Sequence, residues 1–393
     1  MPADGRPARL SRNVFALGLV SFFNDFSSDM IYPLLPAFLA TTLGAGPAAV
    51  GIVEGVAEAT AAVGKGVFGW ISDRASRRKP FVLAGYAVSV AARPLIALAG
   101  AWWTVGAIRF ADRIGKGVRT APRDALVASS SAPGRRGFAF GFQRAMDNAG
   151  ALAGPLAAAL LLKTAVSTER AIFALSLVPG LAALLVLALG TREAPATPAP
   201  PAGASAAEPL PRDLRLVVAV FTLFALANST DAFLLLRAGD AGVPLWAIPL
   251  LWAGFSGAKA VLNTPAGALA DRVGRIPSIL LGWGLYAAAY VGFGRAGSPR
   301  AIAWLFLLYA GFYALTEGAE RALVAELAGG RARGKAFGVF HMSTGLAALP
   351  ASILFGLLWK SYGPTAAFDV GAAVAGAAAA LLLGFQIRRR KSR

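Results

Sequence analysis

The chain has 393 residues, of which 56% are hydrophobic and only 15% charged, far below the roughly 25% charge of a soluble globular domain. Its net charge of +18 is gathered in alternate connections between apolar stretches, which points to membrane topology and away from nucleic acid. Cysteine is absent, which excludes disulfide and thiol chemistry.

Apolar stretches long enough to cross a roughly 30 Å hydrocarbon layer are predicted near 14–40, 46–71, 80–100, 102–124, 138–162 and 169–190. Six more are predicted near 214–236, 245–270, 277–294, 301–325, 337–359 and 366–387. The first follows Arg6, Arg9 and Arg12 and contains Asn24, Asp25 and Asp29, too long and too polar at its centre for a cleaved signal. The second carries Glu54, Glu58 and Lys65. The fourth carries Arg109, Asp112, Arg113, Lys116 and Arg119 at spacings of three and four, a charged stripe that cannot face lipid. The fifth adds Arg144 and Asp147, the seventh Asp231 beside Asn228, Ser229 and Thr230, the eighth Lys259, and the tenth Glu317, Glu320 and Arg321.

Residues 191–213 open with a Pro/Ala-rich stretch lacking apolar periodicity and read as a cytoplasmic linker. The expected organisation is all-α: an N-terminal six-helix bundle over 1–190, the linker over 191–213, and a C-terminal six-helix bundle with a basic tail over 214–393. Basic connections after even-numbered spans, together with the Arg388–Arg393 tail, put both termini in the cytoplasm. The halves repeat. Gly69–Arg74 matches Gly267–Arg272, Arg123–Ala128 matches Glu320–Ala325, and Arg136–Gly141 matches Arg333–Gly338, at shifts of 197 to 198 residues. Duplicating an even number of spans leaves the halves parallel, with a path between them that rocking opens to either side.

The segment Gly69-x-x-x-Asp73-Arg74-x-x-x-Arg78-Lys79 closes the second span, with a second copy at Gly267, Asp271, Arg272 and Arg275. These two segments resemble the signature of the major facilitator superfamily, and the twelve spans, cytoplasmic termini and central linker agree with that family over the whole chain. The resemblance implies alternating access, with Asp73 and Arg74 stabilising one face of the cycle and Asp271 and Arg272 as their second copy. Ser76-Arg77 stands where the family commonly has Gly-Arg. In span five, Gly150 and Gly154-Pro155 form a small-residue face with a bend. This resembles the Gly-Pro motif of exporters that work as antiporters, and ordinary helix packing accounts for the same pattern.

A charge at bilayer depth costs roughly 2.5–3.5 kcal/mol on insertion scales, so intramembrane ionisable groups mark function or mutual pairing. A proton carrier needs a carboxylic acid whose protonation responds to desolvation. The candidates are Asp25, Asp29 and Asp147, followed by Glu54, Glu58, Asp231 and Glu317. For a solute cavity they are Asn24, Arg109, Arg113, Lys116, Arg144 and Lys259. One His and no Cys build no transition-metal site, and no phosphate-binding loop occurs, so no cofactor is expected and an ion or solute gradient drives transport.

The expected function is proton-coupled export of a small organic compound by antiport. The alternatives are symport or facilitated movement of an anionic or zwitterionic solute, and movement of a lipid or lysolipid. The expected setting is the bacterial cytoplasmic (inner) membrane. The expected partners are a small-molecule substrate, protons and membrane lipids, without nucleic acid, in a monomer.

Overall fold

The computed structural model describes residues 10–74, 77–131, 135–164, 168–193, 209–328 and 333–391. Arg6, Arg9, Ser76, Arg331, most of the linker and the last two residues lie outside them. Every described regular element is helical, as the periodicity of an apolar, strand-poor sequence requires. In a bilayer a helix satisfies its backbone polar groups within itself.

Helix α1 (Arg12–Ile31) begins where Ser11 accepts from the Val14 amide, and its span runs on through Pro33 and Pro36 to Thr42. Then come α2 (Pro47–Arg74), α3 (Lys79–Leu95), α4 (Trp102–Ser129), α5 (Arg136–Thr164) and α6 (Glu169–Gly190), the last with a turn at Ser176. The second half contains α7 (Arg212–Ala227), α8 (Ala232–Asp240), α9 (Ile248–Val273), α10 (Arg275–Arg295), α11 (Pro299–Ala328) and α12 (Arg333–Lys391).

Among the described residues, ten stretches are long and apolar enough to cross a membrane. Helix α4 has the length, at 28 residues, but its charges lower its hydropathy. Helix α12, at 59 residues, is interrupted at Gly363, whose φ of 84° and ψ of 170° suit glycine. The chain is therefore a multi-pass all-α membrane protein.

Within the first half α1 packs on α5 and α6, and α4 lies between α2 and α3; within the second, α12 packs on α7 and α10, and α11 on α9 and α10. The halves meet along α2–α12 and α5–α9. Glycines make the first of these seams close. A Cβ at Gly51 would overlap the Ser352 carbonyl oxygen, one at Gly55 would stand 3.1 Å from the Leu349 carbonyl oxygen, and one at Gly356 would stand 2.7 Å from that of Pro47. This tight contact is at the Pro47 end of α2, opposite the basic connections.

Candidate functional site

A cavity of about 420 Å³ lies between the halves, within the roughly 300–1,000 Å³ usual for small-molecule sites. From α1 and the turn that continues it the cavity receives Asp25, Ser28, Asp29 and Tyr32, whose spacing of three and four puts them on one helix face. Glu58 comes from α2, Arg113 and Lys116 from α4, Trp252 from α9, Tyr313 from α11, and Ala348 and Ser352 from α12.

The remaining wall is the break between α7 and α8, Asn228–Asp231. Asn228 leaves the helical region with φ −86° and ψ 84°, and unwinding puts four consecutive polar residues at the cavity. Such a break is tolerated at membrane depth where it faces protein or water. Its freed backbone groups find partners: Tyr286 donates to the Ala227 carbonyl at 2.7 Å, and the Thr230 amide donates to Ser352 Oγ at 3.3 Å.

The charged stripe of α4 turns inward. Arg109, 4% exposed, donates through Nε and Nη2 to the two carboxylate oxygens of Glu54 at 3.0 and 2.7 Å. Arg113 lies 3.2 Å from Glu58 and 3.6 Å from Asp112, and Asp112 accepts from Arg93 at 3.1 Å. Arg93, Arg109 and Arg113 thus match Glu54, Asp112 and Glu58 in charge. Lys116 lines the cavity without an ion pair among the described residues. Lys259 likewise has none; its Nζ lies 4.8 Å from the Phe255 ring centroid and 4.6 Å from that of Tyr313.

The remaining cavity acids have neutral partners. Asn24 Nδ2 donates to Asp25 at 2.8 Å, Trp252 Nε1 to Asp29 at 3.0 Å, and the Tyr309 and Tyr313 hydroxyls to Asp231 at 2.7 and 3.2 Å. Sequence reasoning passes over Arg93, Tyr32, Trp252, Tyr309 and Tyr313. Arg93 carries the one signal available, a lone cation well inside an apolar span. The aromatic residues look like ordinary core until the fold turns them toward the cavity.

Other sequence candidates stand apart from the cavity lining. Asp147 is on α5, its buried Oδ1 without a hydrogen-bond partner among the described residues. Arg144 reaches across the halves to Glu317 at 3.3 Å, and Glu317 also meets Arg321 at 2.7 Å beside a separate cavity of about 220 Å³. Asn24 is buried and reaches Asp25 through its side-chain amide.

In the signature segment, Gly69 faces Ala121, whose Cβ would be 3.4 Å from an added Cβ. Asp73 and Arg74 end α2, their side chains outside those described. The Arg78 amide donates to Glu193 at 2.9 Å. In the second copy Gly267 faces open space, Asp271 and Arg272 are exposed, and Arg275 pairs with Glu326.

Gly150 and Gly154 have a packing role. A Cβ on either would overlap the carbonyl oxygen of Phe22 or Phe26 respectively, so both are required for α5 to approach α1, and Pro155 is buried beside them. Their pattern therefore carries no independent argument for antiport.

Comparison with solved structures shows the fold. The fold matches that of a POT family transporter in complex with 5-aminolevulinic acid, with a TM-score of 0.81, 13% identity and 96% of each chain covered. It also matches the nucleoside transporter NupG, with a TM-score of 0.77, 13% identity, and 95% of this chain and 99% of that one covered. Neither is described as an antiporter or an exporter, and the expectation of proton-coupled export by antiport is corrected accordingly to that of a transporter fold. An uncharacterized MFS-type transporter of Methanocaldococcus jannaschii is 34% identical over 382 residues, 95% of each chain. The family model of the Major Facilitator Superfamily matches residues 17–257 and 216–393, and the chain belongs to that family of transporters.

Proposed function

We propose that the protein moves a small zwitterionic or anionic organic solute through the central cavity by alternating access, as a proton symporter or a facilitator. The observation that carries this reading is the charge inventory. Three arginines and three carboxylates of the first half cancel one another, and of the cations that line the cavity or lie on its aromatic wall Lys116 and Lys259 are without ion pairs among the described residues. Asp25, Asp29 and Asp231 are left as carboxylates held by neutral donors. An anionic group is taken by Lys116 with Arg113, and a cationic group by Asp231, with the Tyr32, Trp252 and Tyr313 rings as an apolar wall. Three such acids against two lysines leave one negative charge, which a transported proton neutralises at Asp25 or Asp29.

In this reading the chain has twelve spans in two six-helix halves, 1–190 and 214–393, joined by the linker at 191–213. It acts as a monomer in the cytoplasmic (inner) membrane with both termini inside. Asp73 and Arg74, with Asp271 and Arg272, stabilise the cytoplasmic face of one state. The tight glycine seam between α2 and α12 supports movement of the halves about a rigid contact.

The test is uptake into proteoliposomes of size-matched neutral, anionic, zwitterionic and cationic solutes, with and without an imposed pH gradient. Zwitterions or anions are expected to enter, and K116Q is expected to weaken their uptake about 10- to 100-fold, the equivalent of one charge-assisted hydrogen bond. Transport confined to neutral or cationic solutes, or K116Q at the parental rate, overturns the reading.

A further inference from the structure

Arg93 is absent from the cavity lining, is 4% exposed, and is bound on two sides. Its Nε donates to Asp112 Oδ1 at 3.1 Å, and its Nη1 donates to the Asn24 main-chain carbonyl of α1, also at 3.1 Å. We infer that Arg93 is a positioning residue that sets the charge the cavity presents, by occupying Asp112 so that the neighbouring Arg113 is left for Glu58 and the solute.

The argument rests on competition for one carboxylate. Asp112, 2% exposed, has three arginines within ion-pair reach: Arg93 at 3.1 Å, Arg113 at 3.6 Å and Arg109 at 3.8 Å. Of these, Arg93 makes the side-chain hydrogen bond to it. Arg109 is committed to Glu54 through two nitrogens, a planar fork arrangement that resists turning. Arg113 divides itself between Asp112 and Glu58, and its shorter contact, 3.2 Å, goes to Glu58.

A buried carboxylate deprived of its hydrogen-bonding cation recruits another. Without Arg93, Arg113 is the cation already within ion-pair reach of Asp112 and not held in a fork, while Arg119 is tied to Ser89 Oγ and the Tyr86 ring, so Arg113 turns and leaves the cavity wall. Glu58, whose side chain is 45% exposed, is then an unpaired carboxylate facing the solute. One substitution outside the cavity thus removes a guanidinium from the wall and leaves the carboxylate already there without its partner. The inference takes the cavity as the solute site proposed above, but its test needs no solute, so the two fail separately.

The natural chain has no cysteine, so A348C on the cavity wall supplies a single reporter. Its reaction rates with a cationic and an anionic alkylthiosulfonate of matched size give a ratio that reads the local potential. In this background R93Q is expected to raise the cationic-to-anionic ratio about tenfold, a change within the several-kT range of local potentials, while R93K stays near the parent. D112N is the discriminating variant: it removes a buried negative charge yet leaves Arg113 on Glu58, so the ratio stays within about twofold of the parent. R93Q/D112N is expected to return to the parental ratio. A simple charge effect predicts instead that D112N shifts the ratio toward the anionic reagent by as much as R93Q shifts it the other way, and that result overturns the inference. So does a folded R93Q with the parental ratio. Should R93Q fail to yield a monodisperse protein, D112N and R93Q/D112N decide: both near the parent support the inference, and either one displaced overturns it.

Discussion

The two halves bury polarity in different ways. The first half does so with charge: Arg93, Arg109 and Arg113 against Glu54, Asp112 and Glu58, across α2, α3 and α4. The second half uses phenols and stacked rings. Tyr286 and Tyr290 stack at 4.1 Å, Phe224 lies on Trp283 at 4.3 Å, and Tyr309 and Tyr313 donate to Asp231. Gly69–Arg74 is still recognisable in Gly267–Arg272, while the buried chemistry of the two halves differs. A neutralised ionic lattice is rigid and intolerant of single changes, because removing one partner strands the other. A phenol network loses one hydrogen bond at a time.

The sharpest way to break this contrast is E54Q. It strands Arg109, which has lost a bidentate partner at 4% exposure, and a cost of about 3–5 kcal/mol is expected. The double variant E54L/R109M should recover most of that loss. Thermal scans of purified protein followed by size-exclusion chromatography provide the check. A double variant no more stable than E54Q would mean that the first half does not behave as a paired lattice.

Y309F removes one phenolic donor from Asp231, a 2.7 Å hydrogen bond, and leaves Tyr313 in place. The expected loss is about 1.5–3 kcal/mol, as for a bond to a charged group, accompanied by weaker solute uptake. If Y309F destabilises as much as E54Q in the same scans, the distinction between halves fails. The smallest effect is expected at the cross-half pair of Arg144 and Glu317, whose side chains are 62% and 28% exposed. R144Q should change stability by less than about 1 kcal/mol, and a larger shift in the melting scan would assign that pair a role in holding the halves together.

Much of the architecture was legible because hydrophobic length and basic-loop alternation are local properties of a membrane sequence. The α1 face carrying Asp25 and Asp29 and the inward stripe of α4 follow from helical periodicity alone. The glycines at 150 and 154 were legible as a small-residue face, but the antiport reading attached to them was not sound. Close approach of α5 to Phe22 and Phe26 of α1 produces the same pattern.

What the sequence by itself determined was that the charges of the apolar spans must be satisfied inside the protein, since lipid offers them no partner. Which charge meets which was decided by the tertiary structure. Arg109 and Lys116 look equivalent along α4, yet Glu54 arrives from α2 to take the first, while the second is left on the cavity wall. Arg93 gains its importance only because α3 brings it beside both Asp112 and the Asn24 carbonyl. Asp231 faces the cavity because α7 unwinds after Ala227. Pairing depends on distances of a few ångströms between segments tens of residues apart, and only the packing of the helices fixes those distances.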